Sequence, residues 1–553
     1  MPTIAEALQA AVRYHQTGQF AQAEQIYRQV LTADPRQFDA WHLLGLALHQ
    51  QGQSEEAIRH IREALRLKPD FPEAHYNLGN VLRDLRRPAE AAACYQQALH
   101  WRPDSAETHY NLANALHDLR QYALAAESYE RAVQLKPNYQ KALNNLGNCY
   151  MDLDRHAEAV ECYRQVLQAS PGYAKGHTNL GNALRQLGRL DESVAASRRA
   201  LELEPDNAEA HNNLAAALLD QGHMQQALAE FDEAIRLRPE YAEARMNRGM
   251  AWLQKGEYQR GWEDYEWRWQ SKAFVPRGFV QPLWDGSPLE GRTILLHAEQ
   301  GLGDTIQALR YVPEVKRRGG SVLLECSPAL HPLLQEQHGA DRLLAFGGEL
   351  RPFDVHAPLL SLPLVLGLPE PGQLRNVPYL RAKPELMEHW RGRLAAIPGF
   401  KVGINWQGNP KHPSDRLRSL PLAQLAPLAE IPGVRLISLQ KNAGVEQLQA
   451  LPDPSIVLDL GSQLDNDSGP FMDTAAVMSC LDLIITVDTA ICHLAGALGA
   501  PVWVLLSTAR DWRWLMHSPT SDWYPTMRLF RQREAGQWAP VLAEVKQALR
   551  EAV

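Results

Sequence analysis

Prolines stand at positions 35, 69, 103, 137, 171, 205 and 239, each 34 residues from the last. A period held over that many steps commits half of a chain to a stack of similar units, each burying its apolar face against the next. Other columns keep the same step. Small residues recur at Gly45, Gly79, Ala113, Gly147, Gly181, Ala215 and Gly249, and glycines mark a turn at 18, 52, 188, 222 and 256. A second small column runs Ala23, Ala57, Ala91, Ala125, Ala159, Ser193, Ala227, Gly261, with aromatics at Tyr27, Tyr95, Tyr129, Tyr163, Phe231 and Tyr265. Small residues let paired helices approach, and aromatics fill the space between them. The repeat proline is expected at the start of the following helix, where a missing N–H costs little. Eight helix-turn-helix units are predicted over residues 1–273.

This pattern resembles the tetratricopeptide repeat. The resemblance implies an α solenoid wound into a superhelix, with a concave groove that holds a protein or peptide. One further column, Asn77, Asn111, Asn145, Asn179, Asn213 and Asn247, is a candidate acceptor ladder. An amide carries donor and acceptor and can hold an extended backbone without reading its side chains. The alternative is that asparagine is simply frequent at this repeat position. O-GlcNAc transferases have the same arrangement of asparagines, and their repeats also precede a glycosyltransferase.

Composition narrows the class. The chain has 553 residues, 45% hydrophobic and 22% charged, with a net charge of −8, which excludes disordered, collagen-like and membrane-embedded proteins. A mildly acidic balance lacks the basic footprint of nucleic-acid binding. Leu481 to Leu506, the most apolar stretch, is broken by Asp482, Asp488 and His493, so no transmembrane segment is expected. The N-terminus lacks a basic leader and runs into an amphipathic helix, and the six cysteines show no regular framework. These features predict a cytoplasmic protein with free thiols.

After residue 273 the period stops. A tryptophan-rich passage (Trp262, Trp267, Trp269, Trp284) leads into Trp284-Asp-Gly-Ser-Pro and is expected to cap the last repeat against the next domain. Apolar runs of strand length then alternate with helical patterns: Thr293–His297, Ser321–Glu325, Lys401–Trp406, Val434–Gln440, Leu483–Val487 and Val502–Leu506. That alternation predicts doubly wound α/β lobes with parallel sheets, over 274–395 and 396–553, with a terminal helix near Ala539–Arg550. Ligands of such folds bind beyond the carboxyl ends of the strands.

Four loops there carry candidate chemistry. After the first strand, Gly301 and Gly303 allow close backbone approach to a ligand, and Asp304 opens a helix expected to reach Arg318; the aspartate is either a base or a helix cap. After Lys401–Trp406 come Gln407, Gly408, Asn409, Arg416 and Arg418, whose guanidinium groups suit a diphosphate unless the loop is merely solvated. Gln440 ends the next strand and is a candidate for a base or ribose contact. The fourth loop, Asp488-Thr489-Ala490 with His493 one turn on, places backbone N–H groups and a helix dipole toward a phosphate. Nothing has calcium-loop, zinc-protease or Walker spacing, so no metal and no cofactor are expected. The run from Asp511-Trp-Arg-Trp514 to Asp522-Trp-Tyr is dense in aromatics, serving packing or an acceptor wall.

Gly-Asp304 resembles the first motif of the ADP-heptose:lipopolysaccharide heptosyltransferases, and Asp488-Thr-Ala-x-x-His493 is similar to their Asp-Thr-Gly-x-x-His. O-GlcNAc transferases have Asp-Thr-Pro there, and Ala490 departs from both. Together the chain resembles bacterial tetratricopeptide-repeat proteins with a two-lobed GT-B glycosyltransferase half. The resemblance implies inverting, metal-independent transfer from a UDP-, ADP- or dTDP-linked sugar. Asp304 would deprotonate an acceptor hydroxyl, while Arg416, Arg418, His493 and the Thr489 helix terminus take the leaving nucleotide diphosphate. The acceptor would be a polypeptide on the repeats, with a saccharide or lipid-linked acceptor as alternatives. One rival is a scaffold with a degenerate enzyme half. Another is a cochaperone-type peptide receptor, which predicts Lys and Arg where this groove has asparagines.

Overall fold

The computed structural model describes residues 3–553 except 272–273, 275–276, 336, 338, 375–376, 413–414, 509–510 and 535. It forms two compact units, Met1–Gln221 and Gly222–Val553. The division falls inside the seventh helix pair, so the last three repeat helices belong to the second unit, whereas the change of period sets a boundary at 273.

The first unit is a run of helices from Ile4–Gln16 to Ala208–Gln221, with first helices starting at Pro72, Ala106, Gln140, Ala174 and Ala208. The small and aromatic columns explain each other. A Cβ on Gly79 would lie 2.6 Å from the Tyr95 ring, and one on Gly147 2.6 Å from the Tyr163 ring. The tyrosine hydroxyls then donate to Asn80, Asn114 and Asn148 at 2.8, 2.6 and 2.7 Å.

The repeat prolines are not at helix starts. Pro69 lies between the helices Ser54–Leu67 and Pro72–Asp84, so it ends one helix rather than opening the next. Its carbonyl accepts from the His75 ring at 2.9 Å. His109, His177 and His211 close on Pro103, Pro171 and Pro205 at 3.0, 2.9 and 3.0 Å, and Trp41 on Pro35 at 2.9 Å. At five of the seven prolines a ring nitrogen six residues on thus ties the connection to the helix that follows, and at Pro239 the Arg245 guanidinium does so at 2.8 Å.

The asparagine column does not stand as a row of free amides. Asn111 donates to Tyr76 and Asn80 of the preceding repeat at 3.0 and 3.2 Å. Asn145 donates to Tyr110 and Asn114 at 3.3 and 3.1 Å, and Asn179 to Asn144 and Asn148 at 3.0 and 3.2 Å. Asn213 reaches the carbonyl of Thr178 at 3.2 Å, and Asn77 lies 2.9 Å from the His42 ring. The donors expected for an acceptor peptide are therefore used between repeats. Asn247, in the second unit, is half-buried and also engaged.

In the second unit the helices Ala242–Lys255 and Tyr258–Tyr265 touch backbone to backbone: Cβ atoms on Gly249 and Gly261 would lie 2.7 Å from the Tyr265 nitrogen and 2.9 Å from the Leu253 nitrogen. Trp262 and Trp284 are buried, and Trp262 donates to the carbonyl of Pro369 at 3.1 Å. Two all-parallel sheets follow. The first has β1 (Thr293–His297), β2 (Ser321–Cys326), β3 (Arg342–Ala345) and β4 (Val355–Pro358) in the order β3-β2-β1-β4. The second has β5 (Phe400–Asn405), β6 (Val434–Ser438), β7 (Val457–Asp459), β8 (Leu483–Val487), β9 (Val502–Leu506) and β10 (Met527–Arg531) in the order β10-β9-β8-β5-β6-β7. Six of the ten were legible as apolar runs, and the other four are the sheet edges β3, β4, β7 and β10. The helix expected to reach Arg318 is broken: Leu302–Ala308, a tighter turn Leu309–Tyr311, then Val312–Lys316, whose second residue is Pro313. The terminal helix runs Trp538–Ala552 and buries Val541, Val545 and Leu549. All six cysteines are free thiols. Among the described residues, no helix is long and apolar enough to cross a membrane.

Candidate functional site

Both sheets have a point where strand order reverses, between β1 and β4 and between β5 and β8. Loops leaving adjacent strands there diverge to opposite faces and open a crevice at the strands' carboxyl ends. The Asp304 loop leaves β1, the Gly408 loop leaves β5 and the Asp488 loop leaves β8, so three of the four candidate loops sit at reversal points.

The two crevices meet through two helices. A Cβ on Gly303 would lie 2.7 Å from His493 Cδ2 and 3.6 Å from Ala490 Cα. Gly303, expected to admit a ligand, instead admits the helix Ala490–Leu498. Ala490 is small where the helices touch, which gives its departure from Gly or Pro a packing reason. Gly301 is the N-cap residue, and Asp304 is the third residue of its helix, so Asp304 is not the cap.

Asp304 is half-buried and ion-paired to Arg513. Burial raises its pKa above the ordinary aspartate value, and the guanidinium opposes that rise without cancelling it. Arg513, 4% exposed, also donates from Nη1 to both oxygens of Asp511 at 3.1 and 3.0 Å and from Nε to Gln307 at 2.5 Å. Its guanidinium lies 4.1 Å over the Trp512 ring. Gln307 Nε2 is buried without a partner among the described residues.

On the facing lobe Thr489 caps its helix, accepting from the Ile491 N–H at 3.3 Å and donating to Asn405 at 3.2 Å. Asp488 accepts from the Trp514 indole at 2.9 Å, and burial, with Asp511 adding to it, pushes its pKa up to about 6. His493 differs from its expected role. Its ring stacks on Trp514 with centroids 5.3 Å apart, and Nδ1 lies 3.0 Å from the Tyr524 hydroxyl. Burial, with Arg513 and Arg310 nearby, holds it well below the ordinary histidine pKa, which favours the neutral ring that packs on Trp514. Asp488, Cys492 and His493 bring one ligating atom each within 4.8 Å of one another. The thiol donates to the Thr489 carbonyl at 2.9 Å, and burial raises its pKa well above the usual range.

Around the Gly408 loop the expected donor residues separate. Arg418 approaches Asp415 at 3.5 Å and lies near enough to Asp488 to lower its pKa, which joins this loop to the other two. A Cβ on Gly408 would lie 2.5 Å from the Asp415 carboxylate and 3.0 Å from Arg418, so glycine is needed for the loop to fold onto itself. Asn409 is exposed and accepts the Lys411 N–H at 3.0 Å as a turn residue, and Arg416 is exposed. Gln407 accepts from Gln447 at 3.0 Å. Gln440 is not available to a nucleotide. Its oxygen takes donors from Asn405, Trp406 and Gln407 at 2.7, 3.0 and 3.1 Å, and its nitrogen donates to the carbonyls of Gln407 and Ala443 at 2.9 and 2.8 Å. A fully bonded amide at a strand end ties the loops together.

Gln307 goes unread in the sequence, and Asp511 and Arg513 read only as part of an aromatic run serving packing or an acceptor wall. The signal for Arg513 was a guanidinium inside an aromatic-dense run, where a buried cation needs carboxylates from elsewhere in the chain. Arg268 is a second such residue. Fully buried, it donates to Glu299 at 2.9 and 3.0 Å and to Ser361 at 2.8 Å, while Gln300 donates to Tyr265 at 2.6 Å, so the turn after the last repeat holds the loop that carries Asp304.

Tetratricopeptide-repeat family models match residues 8–37, 26–59, 45–85, 76–140, 110–174, 181–222 and 215–266. The repeat region therefore carries tetratricopeptide repeats, which supports a protein-binding role for it. Protein FlbA of Caulobacter vibrioides is 29% identical over 321 residues, covering 53% of this chain and 52% of FlbA. The chain thus spans about half the length of that curated relative. Among solved structures, MamA is 27% identical with a TM-score of 0.29, covering 30% of this chain and 97% of MamA. YrrB, described as a TPR protein with an unusual peptide-binding site, is 21% identical with a TM-score of 0.31, covering 33% of this chain and 95% of its own.

Proposed function

We propose that the α/β half is a two-lobed GT-B glycosyltransferase acting in the cytoplasm, and that it moves a sugar from a nucleotide-sugar to an acceptor hydroxyl with inversion and without a metal. The observation that carries this is the meeting of the two reversal points at Gly303 and His493, which gathers Asp304, the Thr489 helix terminus and Arg418 around one region. Asp304 takes the acceptor proton and the acceptor oxygen attacks the anomeric carbon. The bond from that carbon to the phosphate oxygen breaks, and the nucleotide diphosphate leaves with its electron pair toward Arg418 and the Thr489 N–H groups. The acceptor is a protein or peptide bound by the repeats. Since the Asn111 to Asn213 donors are used between repeats, recognition falls to other groove residues or to the outward faces of those amides.

A second reading, a scaffold with a silent enzyme half, draws on the charge balance: Asp304, Asp488 and Asp511 surround one guanidinium, a poor reception for a diphosphate. Nucleotide release from UDP-, ADP-, GDP- and dTDP-sugars separates the two. Release with one donor, abolished in Asp304→Asn and retained in part by His493→Ala, is expected. Silence across the panel in a folded protein that binds no nucleotide would favour the scaffold.

A further inference from the structure

Asp304 does not stand alone in its crevice. It is held by a cation that itself has almost no freedom, since all three nitrogens of Arg513 are engaged: Nη2 by Asp304, Nη1 by both oxygens of Asp511, Nε by Gln307. Gln307 comes from the same helix as Asp304, one turn on, and Arg513 and Asp511 come from the segment between β9 and β10. A planar fork held at three corners and stacked on Trp512 has a single orientation, and so aims whatever carboxylate it grips. Nothing in the catalytic scheme above uses this residue.

We propose that Arg513 is a positioning residue for Asp304: clamped by Asp511 and Gln307, it fixes the direction of the Asp304 carboxylate toward the acceptor and supplies the positive charge that disfavours its protonation. This rests on the transferase reading. Burial alone would favour a protonated Asp304, which is no base. Asp511 pushes the same way, as a negative neighbour, while Asp488 and Tyr265 face Arg513, Arg418 faces Asp488, and His412 also faces the cluster. Arg513 is the cation in contact with Asp304, and it opposes that protonation.

The test is the pH profile of kcat/KM for donor turnover in the full chain. Arg513→Met should move the acidic limb upward by about one pH unit or more, because an opposite charge in contact lowers a carboxylate by about 1–3 units. Asp511→Asn removes a like charge and should move the limb the other way. Arg513→Lys should restore the limb but leave kcat about 10- to 100-fold low, since a point charge does not aim the carboxylate. If Arg513→Met does not fold, the sign of the Asp511→Asn shift decides. Unmoved limbs in folded variants, with Asp304→Asn still inactive, would overturn the proposal and leave the transferase reading standing. No turnover with any donor overturns both.

Discussion

Gly303→Ala sets two physical effects against each other at one atom. By helix propensity alone the change should stabilise by about 0.5–1 kcal/mol, since Gly303 lies within the helix Leu302–Ala308. Its new Cβ, however, would lie 2.7 Å from His493 Cδ2, closer than side-chain carbons pack. The histidine has nowhere to go, being 5% exposed, stacked on Trp514 and bonded to Tyr524. Overpacking of this kind costs about 1–3 kcal/mol, leaving a net loss of about 1 kcal/mol and a fall in Tm of about 2 °C for a unit of this size. Twelve of the fourteen tryptophans lie after residue 222, so intrinsic fluorescence follows the second unit in the full chain. The sign should reverse once His493 is cut back: in a His493→Ala background, Gly303→Ala should raise Tm. A rise in the wild-type background would mean that the two helices do not touch at this point, and the joining of the two crevices would fall with it.

Three further outcomes follow from the same geometry. Asp488→Asn tests the raised acid: the folded chain prefers its protonated form, so its contribution to stability is complete below about pH 4 and is lost as the pH rises through about 6. The variant should match wild type near pH 4 and melt higher at pH 7.5, by at most about 3 kcal/mol for a shift of about two units; equal melting at both pH values refutes it. Arg268→Met leaves Glu299 buried without its partner and should cost about 3–5 kcal/mol in chemical denaturation, with the tryptophan transition moving first. Asn145→Ala removes both donors to the preceding repeat and should cost about 1 kcal/mol in the helical transition followed by circular dichroism. An unchanged midpoint would return that column to the groove.

What the sequence determined was whatever repeats or is buried on both sides. The 34-residue period carried the helix pairs because each unit solves the same packing problem, Gly79 against Tyr95 and Gly147 against Tyr163, so the solution recurs in the letters. β1, β2, β5, β6, β8 and β9, flanked by strands on both sides, read as mainly apolar runs, interrupted only by Glu325, Lys401 and Arg435 among charged residues. The edge strands β3, β4, β7 and β10 have one neighbour each, and all four admit a charged or polar residue, Arg342, His356, Asp459 and Arg528, into short segments without a clear period. Only the tertiary structure decided the partners. Asn145 and Gln440 carry the same groups whether they face a ligand or a neighbouring loop, and a glycine such as Gly303 admits a helix as readily as a phosphate. Arg513 meets Asp304 from 209 residues away. Such a contact is set by where two loops arrive in space, and neither loop records the other's position in its own residues.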